Sequence, residues 1–233
     1  MTKLLSNTLL ILILIGCTQK ENAGKKDKNE DFDDVQTPVI KDEPKDHSIE
    51  ALVQEYEDPG RVDWQNPDLV IDKLGDLDDK VIADIGAGSG YFTFRLVNRA
   101  SKVLAIDIEE QFLEFIEERK SGLNDEIGRR VETRLVSPDD PNLEESEVDI
   151  VLLVNTYLNI DPRTPYLKKL RKGLKPNGKV VIVDFKTGDI PTGPPDELKV
   201  STAMAKSELT MAGFEQISLD TISLRYQYII IAQ

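Results

Sequence analysis

The run Gly86-Ala87-Gly88-Ser89-Gly90 closes the apolar stretch Val81–Ile85 and precedes Tyr91–Arg99, whose apolar residues fall at helical spacing. Glycines in such a turn permit positive φ and remove Cβ atoms, so a bound molecule can lie against backbone. Ligands of open α/β sheets sit at turns of this kind, although glycines also serve simply to turn a chain. Asp107 lies seventeen residues past Gly90, near the end of the next apolar stretch, Val103–Ile108. A carboxylate there can accept hydrogen bonds from both hydroxyls of a ribose. The alternative is an acid that favours the positive end of the following helix.

The elements that must position these residues alternate. Ile49–Tyr56 has helical spacing and is broken at Asp58-Pro59-Gly60; Pro67 opens a second helix that Gly75 closes. Val81–Ile85, Val103–Ile108, Val131–Val136, Val148–Val154 and Lys179–Phe185 read as buried strands. Between them Tyr91–Arg99, Glu109–Leu123 and Tyr166–Leu174 read as helices, the last ending in the turn Lys175-Pro176-Asn177-Gly178. Glu197–Ala212 is a further helix stopped at Gly213, and Phe214–Thr221 and Tyr226–Ala232 pair as a closing hairpin. Strands alternating with helices predict an α/β, Rossmann-like three-layer sandwich with a mostly parallel sheet and an antiparallel edge.

Composition narrows the chemistry. The net charge is −14, about −12 of it from Ile49 onward, which disfavours nucleic-acid phosphates as partners. One cysteine, Cys17, and one histidine, His47, rule out an internal disulfide and a Cys/His zinc site. A catalytic triad would need His47, which lies in a polar linker. Met1–Gly16 reads as a signal peptide: Lys3 is followed by the unbroken apolar run Leu9–Ile15, too short to span a bilayer. Leu14-Ile15-Gly16-Cys17 resembles the bacterial lipobox, which implies cleavage before Cys17 and its acylation, with palmitate-type chains anchoring the protein in a lipid bilayer. The expected place is the extracytoplasmic face of the membrane, periplasmic or outer. Residues 17–48 are rich in Lys, Asp and Glu and read as a disordered tether, leaving 49–233 as one domain.

Val81-Ile82-Ala83-Asp84-Ile85-Gly86-Ala87-Gly88-Ser89-Gly90 resembles the first motif of class I S-adenosylmethionine (SAM)-dependent methyltransferases. The resemblance continues through Asp107-Ile108, Val148-Asp149-Ile150-Val151 and Leu174-Lys175-Pro176-Asn177-Gly178, over about three quarters of the chain. It is nearest the branch that includes the ubiquinone/menaquinone-biosynthesis methyltransferases. It implies a seven-stranded sheet ordered 3-2-1-4-5-7-6 and SAM as the cofactor. It further implies that Gly86, Ala87, Gly88 and Gly90 lie along the cofactor, with Asp84 near its amino group. Asp107 would take the ribose hydroxyls and Ile108 would flank the adenine. Ser137-Pro138-Asp139-Asp140 replaces the branch's usual Gly-Asp-Ala, which puts Asp139 against the adenine amine, with Asp140 as the alternative.

The segment after the fourth strand, Asn155-Thr156-Tyr157-Leu158-Asn159, is expected to face the methyl group, with Asn155 against the cofactor. It is not the Asn-Pro-Pro-Tyr type of amide and nucleobase enzymes, and it lacks the His that related small-molecule enzymes carry nearby. Tyr157 is an acid/base candidate or a pocket wall; Arg61, Trp64 and Gln65 are expected to fold over the site as a lid, the alternative being that Trp64 only packs the first helix onto the sheet. The expected activity is methyl transfer to a small-molecule acceptor. The alternative is a protein that binds SAM or S-adenosylhomocysteine (SAH) without efficient catalysis. A nicotinamide-dependent oxidoreductase would want a third glycine where Tyr91 stands.

Overall fold

The computed structural model describes residues 48–233. The expected signal segment, Cys17, His47 and nearly all of the tether lie outside the described residues. Ser48 opens the first helix by accepting the Ala51 N–H on its hydroxyl. That helix, α1, is Ile49–Tyr56; α2 (Arg61–Gln65) and α3 (Pro67–Lys73) follow. Asn66, with φ of +46°, joins α2 to α3 and caps the latter through its side chain, while Pro67 supplies the fixed φ of a first helical position.

β1 (Val81–Ile85), α4 (Thr93–Leu96), β2 (Lys102–Asp107), α5 (Glu110–Ser121), α6 (Asp125–Gly128) and β3 (Val131–Leu135) form the first half. The second half is β4 (Val148–Val154), α7 (Arg163–Gly173), β5 (Leu174–Phe185), α8 (Thr202–Ala212), β6 (Ile217–Asp220) and β7 (Gln227–Ala232). The seven strands make one sheet ordered β3-β2-β1-β4-β5-β7-β6. β1 to β5 pair in parallel, and β7 runs antiparallel to both β5 and β6. The expected Rossmann-like sandwich with its antiparallel edge is what forms.

Consecutive strand residues serve opposite faces. Ile82, Val103, Ile150, Leu152 and Val181 pack with Val70 and Ile71 of α3, Leu96 of α4 and Ile116 of α5. Ala83, Leu104, Val151, Leu153 and Ile182 pack instead with Leu167 and Leu170 of α7 and Leu209 of α8. Because both faces are covered, the central strands are apolar almost throughout rather than alternating.

Several boundaries differ from expectation. The helix expected over Tyr91–Arg99 is a single α-helical turn, Thr93–Leu96, within a buried segment. The expected helix Glu197–Ala212 starts only at Thr202, where the Ser201 hydroxyl accepts the Met204 N–H. β5 begins at Leu174 rather than Lys179: Leu174 pairs with Val148, and the register shifts across the turn before Lys179 pairs with Ile150. The helices α2 and α6 were not expected; each is too short for periodicity to register.

Leu152 has no exposed surface at the centre of β4, whereas Ile222 is 90% exposed. Leu152→Ala should cost about 2–5 kcal/mol of stability, and Ile222→Ala under about 0.5 kcal/mol. Urea denaturation followed by circular dichroism measures both.

Candidate active site

The carboxyl ends of β1, β2 and β4 border one crevice of about 310 Å³, at the low end of the roughly 300–1,000 Å³ typical of small-molecule sites. The turn after β1 forms its base. Gly86 and Gly88 hold φ of +70° and +53°, a conformation that strains any side chain. A Cβ on Gly86 would stand 2.5 Å from Thr156 Oγ1, and one on Gly88 would meet the Tyr56 ring at 3.2 Å. The backbone of Gly86, Ala87 and Gly88 therefore borders the crevice directly. Gly90 differs from them, since a Cβ there would strike Phe94 at 2.7 Å and Ile116 at 3.1 Å. It lets these side chains close on the turn and does not line the crevice.

Asp107 ends β2 with its carboxylate committed to backbone. Oδ2 accepts the Gly88 N–H at 2.8 Å; Oδ1 accepts those of Ile108 at 2.8 Å and Glu109 at 3.1 Å. It thus ties the glycine turn to the start of α5 while also lining the crevice. Oδ2, with one such bond, keeps a lone pair for a ligand hydroxyl. The two readings of Asp107, ligand acceptor and helix-start acid, are compatible in one side chain.

Asp84, buried on β1, accepts the Thr93 hydroxyl at 2.7 Å. Burial pushes its carboxyl up to about 6, against the opposing pull of the Thr93 hydrogen bond. Arg61 also lines the crevice and is the one Lys or Arg among its described lining residues. Its guanidinium lies 4.1 Å from the Tyr91 ring centre and donates to the Tyr56 carbonyl at 2.8 Å and to Gln65 Oε1. Arg61 is 9% exposed, and burial lowers its pKa. Among the described residues it forms no ion pair, an unusual state for a buried cation.

α1 is fastened over the turn. Tyr56 stacks on Phe112 with ring centres 5.7 Å apart, and Glu57 accepts from the Ser89 hydroxyl and from Arg119, each at 2.8 Å. Trp64 packs on Phe185 at 5.6 Å, so α2 is both packed on the sheet and bordering the crevice through Arg61. Ile108, half exposed, lines the crevice with Val136 and Pro138. Asp139 does not: it is exposed and accepts from the Ser137 hydroxyl at 2.8 Å, while Asp140 pairs with Lys169 at 3.0 Å. Asn155 lines the crevice with φ of +58°.

Tyr157 is neither wall nor acid/base. It is wholly buried, outside the crevice lining, and donates its hydroxyl to Glu208, which Arg163 also holds at 3.0 Å. Burial and the Glu208 carboxylate drive its pKa far upward. Asn155, Thr156, Asn159 and Ile160 are the residues of that segment that reach the crevice.

A methyltransferase-domain family matches residues 83–180, from the heart of β1 to the start of the buried part of β5. A SAM-dependent methyltransferase from Aquifex aeolicus superposes with a TM-score of 0.69 at 24% identity, covering 77% of this chain and 95% of that one. The chain has the class I SAM-dependent methyltransferase fold. Phosphoethanolamine N-methyltransferase 1 of Triticum aestivum is 27% identical over 158 residues, covering 65% of this chain and 31% of the relative. Demethylmenaquinone methyltransferase of Lactococcus lactis subsp. lactis (strain IL1403) is 28% identical over 122 residues, covering 51% of this chain and 47% of the relative. The chain therefore spans less than half of either curated relative. The matched family is a methyltransferase domain and the Aquifex aeolicus protein that shares the fold is SAM-dependent, which makes SAM the cofactor against which to compare the crevice.

The crevice residues fit that cofactor. Bare backbone, a carboxylate at the end of β2, a second buried acid and an unpaired guanidinium suit a nucleoside that carries one ammonium and one carboxylate. Asp84 gives the site a pH dependence whose sign is fixed. Its folded-state pKa of about 6 exceeds the ordinary value of 3.8, so its contribution to stability is full below the latter and lost as pH rises through the former. Only the ionised form attracts an ammonium. SAH affinity should therefore fall as pH drops from about 7.5 through about 6, where Asp84 protonates. Asp84→Asn should abolish that dependence and weaken SAH at about pH 7.5, while raising the melting temperature of the ligand-free protein. Calorimetric titration and thermal denaturation, each run across pH, test both effects.

Proposed function

We propose that the chain transfers a methyl group from SAM to a small-molecule acceptor in this crevice. The observation that carries the reading is a buried Arg61 guanidinium, without an ion pair among the described residues, that lines one crevice with the two acids Asp84 and Asp107 and a bare glycine turn. Arg61 would take the carboxylate of the cofactor, Asp84 its ammonium and Asp107 a ribose hydroxyl, with Ile108 against the adenine. Gly86, Ala87 and Gly88 let the ligand approach backbone; Asn155 and Thr156 border the end nearest β4. Gly90 supports the turn, and Asp139 would reach an adenine amine only if its loop turned inward. SAM supplies an electrophilic methyl on a sulfonium when bound, and the transfer is an in-line displacement.

The residues of the chain contribute alignment and a dry wall. Ile85, Ile106, Ile108, Phe112 and Val136 line the crevice with apolar surface. Size and charge support a small acceptor. A crevice of about 310 Å³ has little room beyond the cofactor, and the acidic domain repels nucleic-acid phosphates. One observation favours the second reading, binding without efficient catalysis: no His lines the crevice among the described residues, and the Tyr157 hydroxyl is tied to Glu208. An acceptor that arrives as a ready nucleophile needs no such base, so both readings share the same cofactor site.

Asp107→Ala should weaken SAH by roughly 10- to 150-fold, the equivalent of a charge-assisted hydrogen bond of about 1.5–3 kcal/mol. Asp107→Asn should cost less, and Glu109→Ala should change affinity by under about threefold as a surface charge. Calorimetry reads all three; wild-type affinity in Asp107→Ala would contradict the ribose assignment. Transfer of label from methyl-labelled SAM to a low-molecular-weight product in a cell extract supports catalysis, and tight SAH binding with no transfer supports the second reading.

The lipobox-like Leu14-Ile15-Gly16-Cys17 supports a further part of the proposal: acylation of Cys17 holds the domain on the extracytoplasmic face of a membrane, with residues 17–48 as tether. Wild-type protein should then sediment with membranes, and Cys17→Ser should lose the acyl mass and the modification-dependent cleavage before residue 17. Soluble wild-type protein that retains Met1–Gly16 by mass spectrometry would contradict it.

A further inference from the structure

Two buried amides, Gln65 and Gln227, connect the crevice cation to the last strand of the sheet, and a third, partly exposed one, Asn155, returns the chain of hydrogen bonds to the crevice. Arg61 Nε donates to Gln65 Oε1, Gln65 Nε2 donates to Gln227 Oε1 at 3.1 Å, and Gln227 Nε2 donates to Asn155 Oδ1. Gln65 and Gln227 have no exposed surface. The direction of this relay is not free. A guanidinium has donors and no acceptor, so Gln65 must turn its oxygen toward Arg61 and its NH2 toward Gln227. Gln227 must then present oxygen to Gln65 and NH2 to Asn155. Reversing any amide would set two N–H groups or two oxygens against each other in a buried place, which is costly.

The relay acts on a side chain that needs holding. An arginine has many rotamers to lose on fixation, and Glu57 is close enough to influence Arg61 electrostatically. Stacking on Tyr91 fixes the plane of the guanidinium, and the Tyr56 carbonyl fixes one edge. The bond from Nε to Gln65 fixes its rotation. Nη2 is left without a hydrogen-bond partner among the described residues, available to a ligand anion. Among the described residues the Gln65 NH2 donates to Gln227 of β7, and Gln227 donates in turn to Asn155 on the crevice rim.

We propose that Gln65 and Gln227 are positioning residues that lock Arg61 in its carboxylate-binding pose, so that recognition of the amino-acid end of the cofactor is set from β7. This rests on the reading of the crevice as a SAM site. It separates two parts of one ligand: the nucleoside, held by the glycine turn and Asp107, and the amino-acid tail, held through the relay.

Calorimetry with SAH and with 5′-methylthioadenosine, which keeps the nucleoside and sulfur but lacks the amino acid, tests it on the purified full chain. Wild type should prefer SAH by at least about tenfold. Gln227→Leu and Gln65→Leu should each reduce that preference by about tenfold, with methylthioadenosine affinity within about threefold of wild type. Retained methylthioadenosine binding also shows that the crevice is still folded. Gln227→Glu can still accept from Gln65, and Asn155, on the crevice rim, can turn its NH2 toward the second carboxylate oxygen, so this variant should keep the preference. The proposal is overturned by an unchanged preference in both leucine variants, by parallel loss of both ligands in both, or by equal loss in Gln227→Leu and Gln227→Glu. A wild type that binds neither nucleoside overturns the cofactor reading, and the relay's role with it.

Discussion

The crevice depends first on the carboxylate of Asp107. Three backbone N–H groups, from Gly88, Ile108 and Glu109, converge on it. They come from two segments, the glycine turn after β1 and the entry to α5, which the carboxylate joins beyond the end of the β1–β2 ladder. A turn with three glycines in the left-handed region is entropically expensive to order, and the Gly86 and Ala87 N–H groups are committed to the Ile106 carbonyl at 2.8 and 3.1 Å. β2 thus holds the turn by its last two residues, one through its carbonyl and one through its side chain. The ligand cradle is a consequence of how β1 and β2 are joined at their carboxyl ends.

On this frame sits a charge arrangement that suits a ligand carrying both signs of charge. Asp84 is buried enough to resist ionisation, and Arg61 is buried without a counter-ion among the described residues. Each costs the ligand-free fold stability, and each gains a partner when a molecule bearing one ammonium and one carboxylate arrives. Such strain in the empty fold is characteristic of sites shaped for binding rather than for stability. Asp184, at the end of β5, shares the upward displacement to about 6 by burial. It is, however, satisfied by the Phe185 and Leu158 N–H groups at 2.8 and 3.1 Å, and lies outside the crevice lining.

What was legible in the sequence is what local pattern encodes. The buried strands are short apolar runs, the glycine turn follows the first of them, and Asp107 ends the second; all three stand where expected. Gly90 looks like its neighbours in sequence, and only the packing of Phe94 and Ile116 shows that its missing Cβ serves the core. Tyr157 sits in the segment that borders the crevice, yet its ring turns into the layer of α7 and α8, where Glu208 meets it from 51 positions away. The relay through Gln65 and Gln227 joins residues 162 positions apart. Single polar residues paired over such distances leave no periodic trace. Arg61 and Trp64 could be suspected of covering the site, but which of them enters it is settled only by how α2 lies against β7 and Phe185.

If the crevice between β1, β2 and β4 is the place where the cofactor binds, its backbone amides must sense the ligand. Amide chemical shifts of the labelled protein, followed by nuclear magnetic resonance during SAH titration, test this most directly. Saturable shifts should concentrate at Gly86–Ser89, Asp107–Glu109 and Asn155–Thr156, with Arg61 Nε–H shifting as well. Absence of shifts at saturating SAH, or shifts concentrated instead at the opposite end of the sheet around Asn177, Gly213 and Phe214, would contradict cofactor binding in this crevice.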